Sequence, residues 1–339
     1  MNIMNMDRGN IRDSIIISIY LPIAIIFIVG LSHAAVIEVN PGQSIQKAID
    51  LANPGDTIRV LNGTYTENIE IDKQLTVKGI DMPVIWAKHS GSTINITADG
   101  CLIEGIDAGN SSGWHQGGIR ITSNNNVIHR NEVKDSRTGI VLQESSGNKI
   151  FYNDARNGGT GIFLRNSCDN TIERNEISSH GKDSLGVSYG IYLLNSSNHN
   201  IIRKNIIDIG GLINGGIMIY CSEFNSVNDN EITGSGLFSG MGVALLESNN
   251  CLIENNTVAS NGILGQGIRL MFSHNNTIDD NSLCCYGPIG QAIAILQSEN
   301  NRISANQAKS WHWGRDIEFE GASGNKLSGN DAIRIYGEP

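Results

Sequence analysis

The chain has 339 residues, 40% of them hydrophobic, with 39 glycines, six prolines and only 6% aromatic residues. That composition suits many short strands and tight turns and argues against long helices. A formal net charge of −10 with no basic run excludes sequence-independent nucleic-acid binding, which needs clustered Lys and Arg against phosphate.

In chain order, Arg8 and Arg12 precede an apolar run from Ile15 to Leu31, followed by Ser32-His33-Ala34. This is the layout of an export signal cleaved after Ala34 or Ala35. An uncleaved membrane anchor is the alternative, because the run approaches the length that spans a bilayer. Residues 1–35 are therefore read as signal peptide or anchor, and residues 36–339 as one domain. Within it, 36–60 form an N-terminal cap, 61–117 irregular early coils and 118–339 regular repeats. In the cap, Ser44 starts a short amphipathic segment with Ile45, Ala48, Ile49 and Ala52 on one face, the pattern of a capping helix.

From Gly118 the sequence repeats. GIRITSNNNVIHRNEV, GIVLQESSGNKIFYNDA from Gly139, GIFLRNSCDNTIERNEI from Gly161 and GIYLLNSSNHNIIRKNII from Gly190 are followed by units from Gly216, Gly242, Gly267, Ala292 and Asp316. Successive starts lie 21 to 29 residues apart, so each unit is fixed in its first part and elastic in its tail. A period in this range marks a stacked architecture. Each unit reads Gly-Ile-x-Leu, a polar turn, Asn-x-Ile, then a second Asn-x-Ile, which is three short segments of two-residue alternation. The expected fold is all-β, a right-handed parallel β-helix of about 11–12 coils with three strands each.

Two asparagine series mark the turns: Asn131, Asn153, Asn175, Asn205, Asn230, Asn256, Asn281, Asn306 and Asn330, and Asn126, Asn148, Asn170, Asn200, Asn225, Asn276, Asn301 and Asn325, the latter broken by Cys251. Stacked coils lie about 4.8 Å apart, so these amides are expected to bond along ladders, with asparagine supplying left-handed turn conformations. Their role is structural. The six cysteines lack CxxC spacing and are read as buried free thiols, not as a zinc or redox motif.

The opening PGQSIQKAIDLANPGDTIRVLNGTYTENIEIDKQLTVKG, followed by the tandem units, resembles the NosD-type, pectin-lyase-like parallel β-helix family of exported proteins, over essentially residues 36–339. The resemblance implies a carbohydrate-binding or sugar-hydrolysis type of domain, common in cell-envelope proteins of archaea and bacteria. Its namesake member serves copper-site maturation of nitrous oxide reductase. The histidines here are scattered singly, without Met-rich or Cys/His spacing. Polysaccharide lyases and polygalacturonases of this fold carry calcium aspartates, or paired aspartates with Gly-His-Gly and Arg-Ile-Lys. Asp279-Asp280 occurs here and the two tripeptides do not.

Two surfaces carry candidate chemistry. In register, Glu254 and Asp279 stack, with Asp229 and Asp280 at the following position of their own units. These four are the candidate catalytic residues, and Glu254 with Asp279 a possible Ca²⁺ site. On the first strand the outward positions include Phe163, Tyr192, Leu194, Met218, Tyr220, Leu246, Met271 and Leu296, over which the elastic tails are expected to fold. A groove in which Tyr192, Tyr220, Trp311 and Trp313 stack on sugar rings is the binding-site expectation.

The expected protein is an exported, non-catalytic, monomeric β-helix of the periplasm, cell surface or medium, carbohydrate-binding or surface-structural. It needs no cofactor beyond possible Ca²⁺ and meets membrane only through its N-terminal segment. The alternatives are a lyase, hydrolase or epimerase of an acidic glycan, and a copper-maturation accessory.

Overall fold

The computed structural model describes residues 34–339 apart from 89, 114 and 181–185, so the expected export segment lies almost entirely outside the described residues. What it shows is a right-handed parallel β-helix. Every strand pair is parallel and matched to its equivalent one unit away, as in Ile128↔Ile150, Ile150↔Ile172 and Ile172↔Ile202, with one register shift between Gly211 and Ile213. The second strands of successive coils form one thirteen-stranded sheet. First and third strands form the other two faces, fused where Ile206–Tyr220 and Glu231–Leu246 run unbroken around the corner between them.

Alternation decides which side chains enter. Ile128, Ile150, Ile172, Ile202, Val227, Ile253 and Ile278, from seven successive second strands, are fully buried in a continuous core. Each is worth about 1.5–3 kcal/mol relative to exposure. The Gly-Ile-x-Leu glycine is set by crowding at the corner where third strand meets first. A Cβ on Gly242 would lie 2.5 Å from the Gly267 carbonyl oxygen and closer still to Val258 Cγ1. Helix Ile45–Leu51, N-capped by the Ser44 hydroxyl accepting from the Lys47 N–H at 3.2 Å, packs Ile45, Ala48 and Ile49 onto the first coils.

Both asparagine ladders form. Asn175 is typical: its Nδ2 donates to Asn205 Oδ1 at 3.0 Å and to the Ile150 carbonyl at 2.9 Å, while its Oδ1 accepts from the Asn153 N–H and Nδ2. The left-handed residue, however, is not the ladder asparagine but the one before it. Arg130, Tyr152, Arg174, Lys204, Asp229, Asn255, Asp280 and Ala305 all have φ between 51° and 57°. Reversing the backbone one residue early turns the asparagine side chain inward. The amide bonds offset the roughly 1–2 kcal/mol that a non-glycine residue loses in that conformation.

A third ladder accompanies them. The Ser145, Ser167, Ser197, Ser222, Ser248 and Ser273 N–H groups each donate to the hydroxyl of the next coil's serine, ending at Ser298. Its signal, a serine after every Gly-Ile-x-Leu phrase, stands openly in the sequence.

Cys251 interrupts the second asparagine ladder. Its N–H still donates to Asn276 Oδ1 at 2.8 Å, but Asn225 Nδ2 now faces a thiol and makes no hydrogen bond. Restoring the amide with Cys251→Asn is expected to stabilise the fold by about 1 kcal/mol, the worth of one recovered buried bond. Equilibrium urea unfolding checks this, and an unchanged or lowered midpoint counts against it.

The six cysteines are all free. Cys101, Cys251 and Cys285 are buried as expected, whereas Cys168, Cys221 and Cys284 are partly exposed because they sit on turns or outward strand positions.

Candidate functional site

Cavities open on more than one part of the surface, including one of 400 Å³ lined by Lys309, Trp311, Asp316 and Arg334, and the face built by the first strands carries two. Ile119 and Ile121, Ile162 and Leu164, Ile191 and Leu193, and Ile268 and Leu270 point into the core, so the residue between each pair points out. Register stacks these outward residues in one row: Glu70, Asn95, Arg120, Val141, Phe163, Tyr192, Met218, Ala244, Arg269, Ala294 and Glu318. The middle of the row is a secondary apolar layer, with Val141, Phe163, Met218 and Ala244 buried although outside the main core.

Two cavities open on it. A 540 Å³ pocket near the N-terminal end is polar, lined by Gln46, Asn68, Glu70, Ser92, Asn95, Gln116 and Arg120 among others. Beside it, a 170 Å³ pocket is lined by His115, Thr138, Thr160, Phe163, Tyr192 and Leu194. The rings form a chain: His115 to Phe163 at 5.9 Å, Phe163 to Tyr192 at 5.5 Å, and Tyr192 to Tyr189 at 5.0 Å between centroids. Burial, then the neighbouring Tyr189, pushes the Tyr192 hydroxyl up to about 12, so it remains a neutral hydrogen-bonding group.

The structure divides the expected aromatic groove. Tyr192 lines the smaller pocket, and Tyr220 lies one rung further on the same face, half-buried, between Leu194 and Leu246. Trp311 and Trp313 lie five rungs away from Tyr192, about 24 Å at the β spacing, in the turn before Arg315–Glu320, where Trp311 packs on Tyr286 at 5.8 Å. The elastic tails reach the stripe where they join the first strands: Tyr189 packs on Tyr192, and a Cβ on Gly215 would touch Met218 Cε at 3.5 Å. The tails also stack on one another, as when the Leu264 N–H donates to the Phe238 carbonyl and the Trp313 N–H to that of Pro288. Backbone pairing thus continues up the tails, leaving Leu237 74% and Trp313 84% exposed along the corner.

The carboxylates occupy a different face. Glu254 and Asp279 are register partners on the second-strand sheet. Asp279 accepts from the Ser304 hydroxyl at 2.5 Å. Asp229 and Asp280 are not neighbours, because Asn255 comes between them and donates to Asp229 at 2.5 Å. On the same sheet Glu173 pairs with Arg203 at 2.8 Å and Arg174 at 2.7 Å. Among the described residues no group of three or more His, Cys, Asp or Glu side chains is placed to hold a metal ion.

The sequence profile of the family described as periplasmic copper-binding protein (NosD) matches residues 49–210 and 187–334. The chain belongs to the NosD family. Membership in a periplasmic family supports an exported or periplasmic location for it. Its fold is also that of solved β-helix proteins. The mannuronan C-5 epimerase AlgE6 A-module of Azotobacter vinelandii aligns at TM-score 0.58 and 15% identity, over 87% of this chain and 94% of that one. A DFA-IIIase of Arthrobacter chlorophenolicus aligns at 0.61 and 13%, over 84% and 87%. A family 28 exopolygalacturonase of Yersinia enterocolitica aligns at 0.55 and 12%, over 89% and 77%. At such identities the likeness is one of fold. A comparison with curated protein sequences gives no match.

The family description raises the question of copper. The described residues do not fit a copper centre: no donor cluster forms, and burial pushes the thiols of Cys101, Cys251 and Cys285 up, that of Cys251 to about 11, keeping them protonated.

Sequence reading named Phe163 and Tyr192 but missed His115, Tyr189, Arg120 and Arg269. His115 and Tyr189 lie ahead of their Gly-Ile-x-Leu phrases, where no period marks position. Arg120 and Arg269 were legible, each filling the x of that phrase.

Proposed function

We propose that this NosD-family chain is an exported, non-catalytic glycan-binding β-helix whose ligand lies along the outer face of the first strands, across the polar and aromatic pockets. The observation that carries this reading is the His115–Phe163–Tyr192–Tyr189 ring chain lining an open pocket beside a larger polar one. Aromatic faces suit the C–H surfaces of sugars, while the amide and hydroxyl groups of Gln46, Asn95, Gln116 and Ser92 suit their hydroxyls. The rungs also repeat along a straight line, which matches a linear polymer.

Catalysis by Glu254 and Asp279 ranks second. Both stand on another face, away from either pocket, and Asp279 is already engaged by Ser304.

The test is a glycan-array experiment on the full chain, with Ca²⁺ and with chelator, reading the same wells for reducing-end or unsaturated products. Binding without products is expected. Tyr192→Ala should weaken it about tenfold, the cost of one lost ring contact, whereas Trp311→Ala should leave it unchanged. Products abolished by Asp279→Asn would instead establish the enzyme reading.

A further inference from the structure

Several arginines of this acidic chain are neutralised: Arg59 by Glu38, Arg156 by Asp154, Arg174 and Arg203 by Glu173, Arg315 by Glu318 and Arg334 by Asp316. Arg120 and Arg269, on the first-strand face, are not. The Arg120 guanidinium donates to Asn95 Oδ1 and Gln143 Oε1, both at 3.1 Å. Arg269 donates to Gln266 Oε1 at 3.3 Å and Met271 Sδ at 3.4 Å, and its Nε has no partner. Every acceptor is uncharged. The stacked neighbours are uncharged as well: Asn95 and Val141 flank Arg120, and Ala244 and Ala294 flank Arg269, leaving only methyl groups above and below that guanidinium.

A half-buried cation held by neutral groups is oriented but uncompensated, and that costs stability. Burial lowers the pKa of Arg269 accordingly. The cost is recovered when a ligand anion arrives, and the planar guanidinium fork matches carboxylate and sulfate alike. The two arginines stand six rungs apart on one line, about 29 Å, with Phe163 and Tyr192 between them.

We infer that the glycan held on this face is anionic, a polymer bearing carboxylate or sulfate groups that Arg120 and Arg269 read at two separated points. This rests on the glycan-binding reading, and it identifies two specificity residues for which no carboxylate partner exists among the described residues.

Affinity electrophoresis of the full chain against polygalacturonate, the same polymer with its carboxyls reduced, dextran sulfate and dextran tests it. Polygalacturonate should bind more tightly than its reduced form. Dextran sulfate bound in preference to polygalacturonate would assign the anion as sulfate. Arg120→Gln and Arg269→Gln should each lower affinity for the preferred charged polymer about tenfold and flatten its salt dependence. Both variants should leave weak binding of the reduced polymer unchanged, with melting temperatures no lower than that of the parent chain, as expected when an uncompensated buried charge is removed. Equal binding of charged and uncharged polymers, lost with Tyr192→Ala, would overturn the charge reading and leave the glycan face standing. Failure to bind any of the four would overturn both.

Discussion

Replacing Asn205 by Leu is expected to destabilise the protein by about 3 kcal/mol, though the two side chains are similar in size. Asn205 is 1% exposed, and its amide works on three coils at once. Nδ2 donates to the Ile172 carbonyl at 3.0 Å and to Asn230 Oδ1 at 2.9 Å, and Oδ1 accepts from both the N–H and the Nδ2 of Asn175 at 3.0 Å. Leucine returns some apolar burial but strands the Asn175 N–H, which has no water to turn to. Each buried polar group left unmade costs about 1–3 kcal/mol. In a solenoid the damage is local, because a coil contacts chiefly its neighbours. Hydrogen exchange should therefore accelerate most between the coils of Ile172 and Val227, and urea unfolding should shift to a lower midpoint. A midpoint within experimental error of the parent would show that the ladder is ornament to a hydrophobic core sufficient by itself.

The second large effect is expected for Gly242→Val, at about 3 kcal/mol or more. The corner has no room for a side chain: the Gly267 carbonyl oxygen stands 2.5 Å from where a Cβ would be, and the Val258 methyl is nearer. Either the coil spacing opens, breaking first-strand pairing on both sides, or Val258 leaves its core position; overpacking of this kind usually costs about 1–3 kcal/mol before the backbone yields. Ala292, two rungs on, shows how far the corner can give. It carries a methyl group at this position of its unit and is fully buried. A valine adds two further carbons, so Gly242→Ala should be the milder change. The thermal midpoints of the two variants, measured side by side, check the ranking; equal midpoints would mean that crowding is not what selects glycine here.

How much of this was written in the sequence follows from what kind of interaction each feature uses. The coil, its three strands, both asparagine ladders and the inward isoleucines depend on residues repeating at one period, and a repeat shows itself without any knowledge of the partner coil. Even the charge readers Arg120 and Arg269 stood in an identifiable slot, the x of Gly-Ile-x-Leu. The backbone reversal before each ladder asparagine was misassigned by one residue, since the sequence tells which side chain is special and not which φ turns it inward.

The tertiary structure decided what the tails do and which side chains meet. Their length varies from unit to unit, so no register links Tyr192 to Trp311, and only the stacked coils show them five rungs apart while His115 and Tyr189 come against the ring row from outside the repeat. The same holds for charge. That Asp279 meets Ser304, that Arg203 meets Glu173 and that Arg269 meets no carboxylate are facts of neighbouring coils, fixed by a spacing of about 4.8 Å between residues some 25 to 30 apart in the chain. Periodicity is a local property and the sequence determined it; pairing across the surface is a property of the stack, and it arose only when the coils closed on one another.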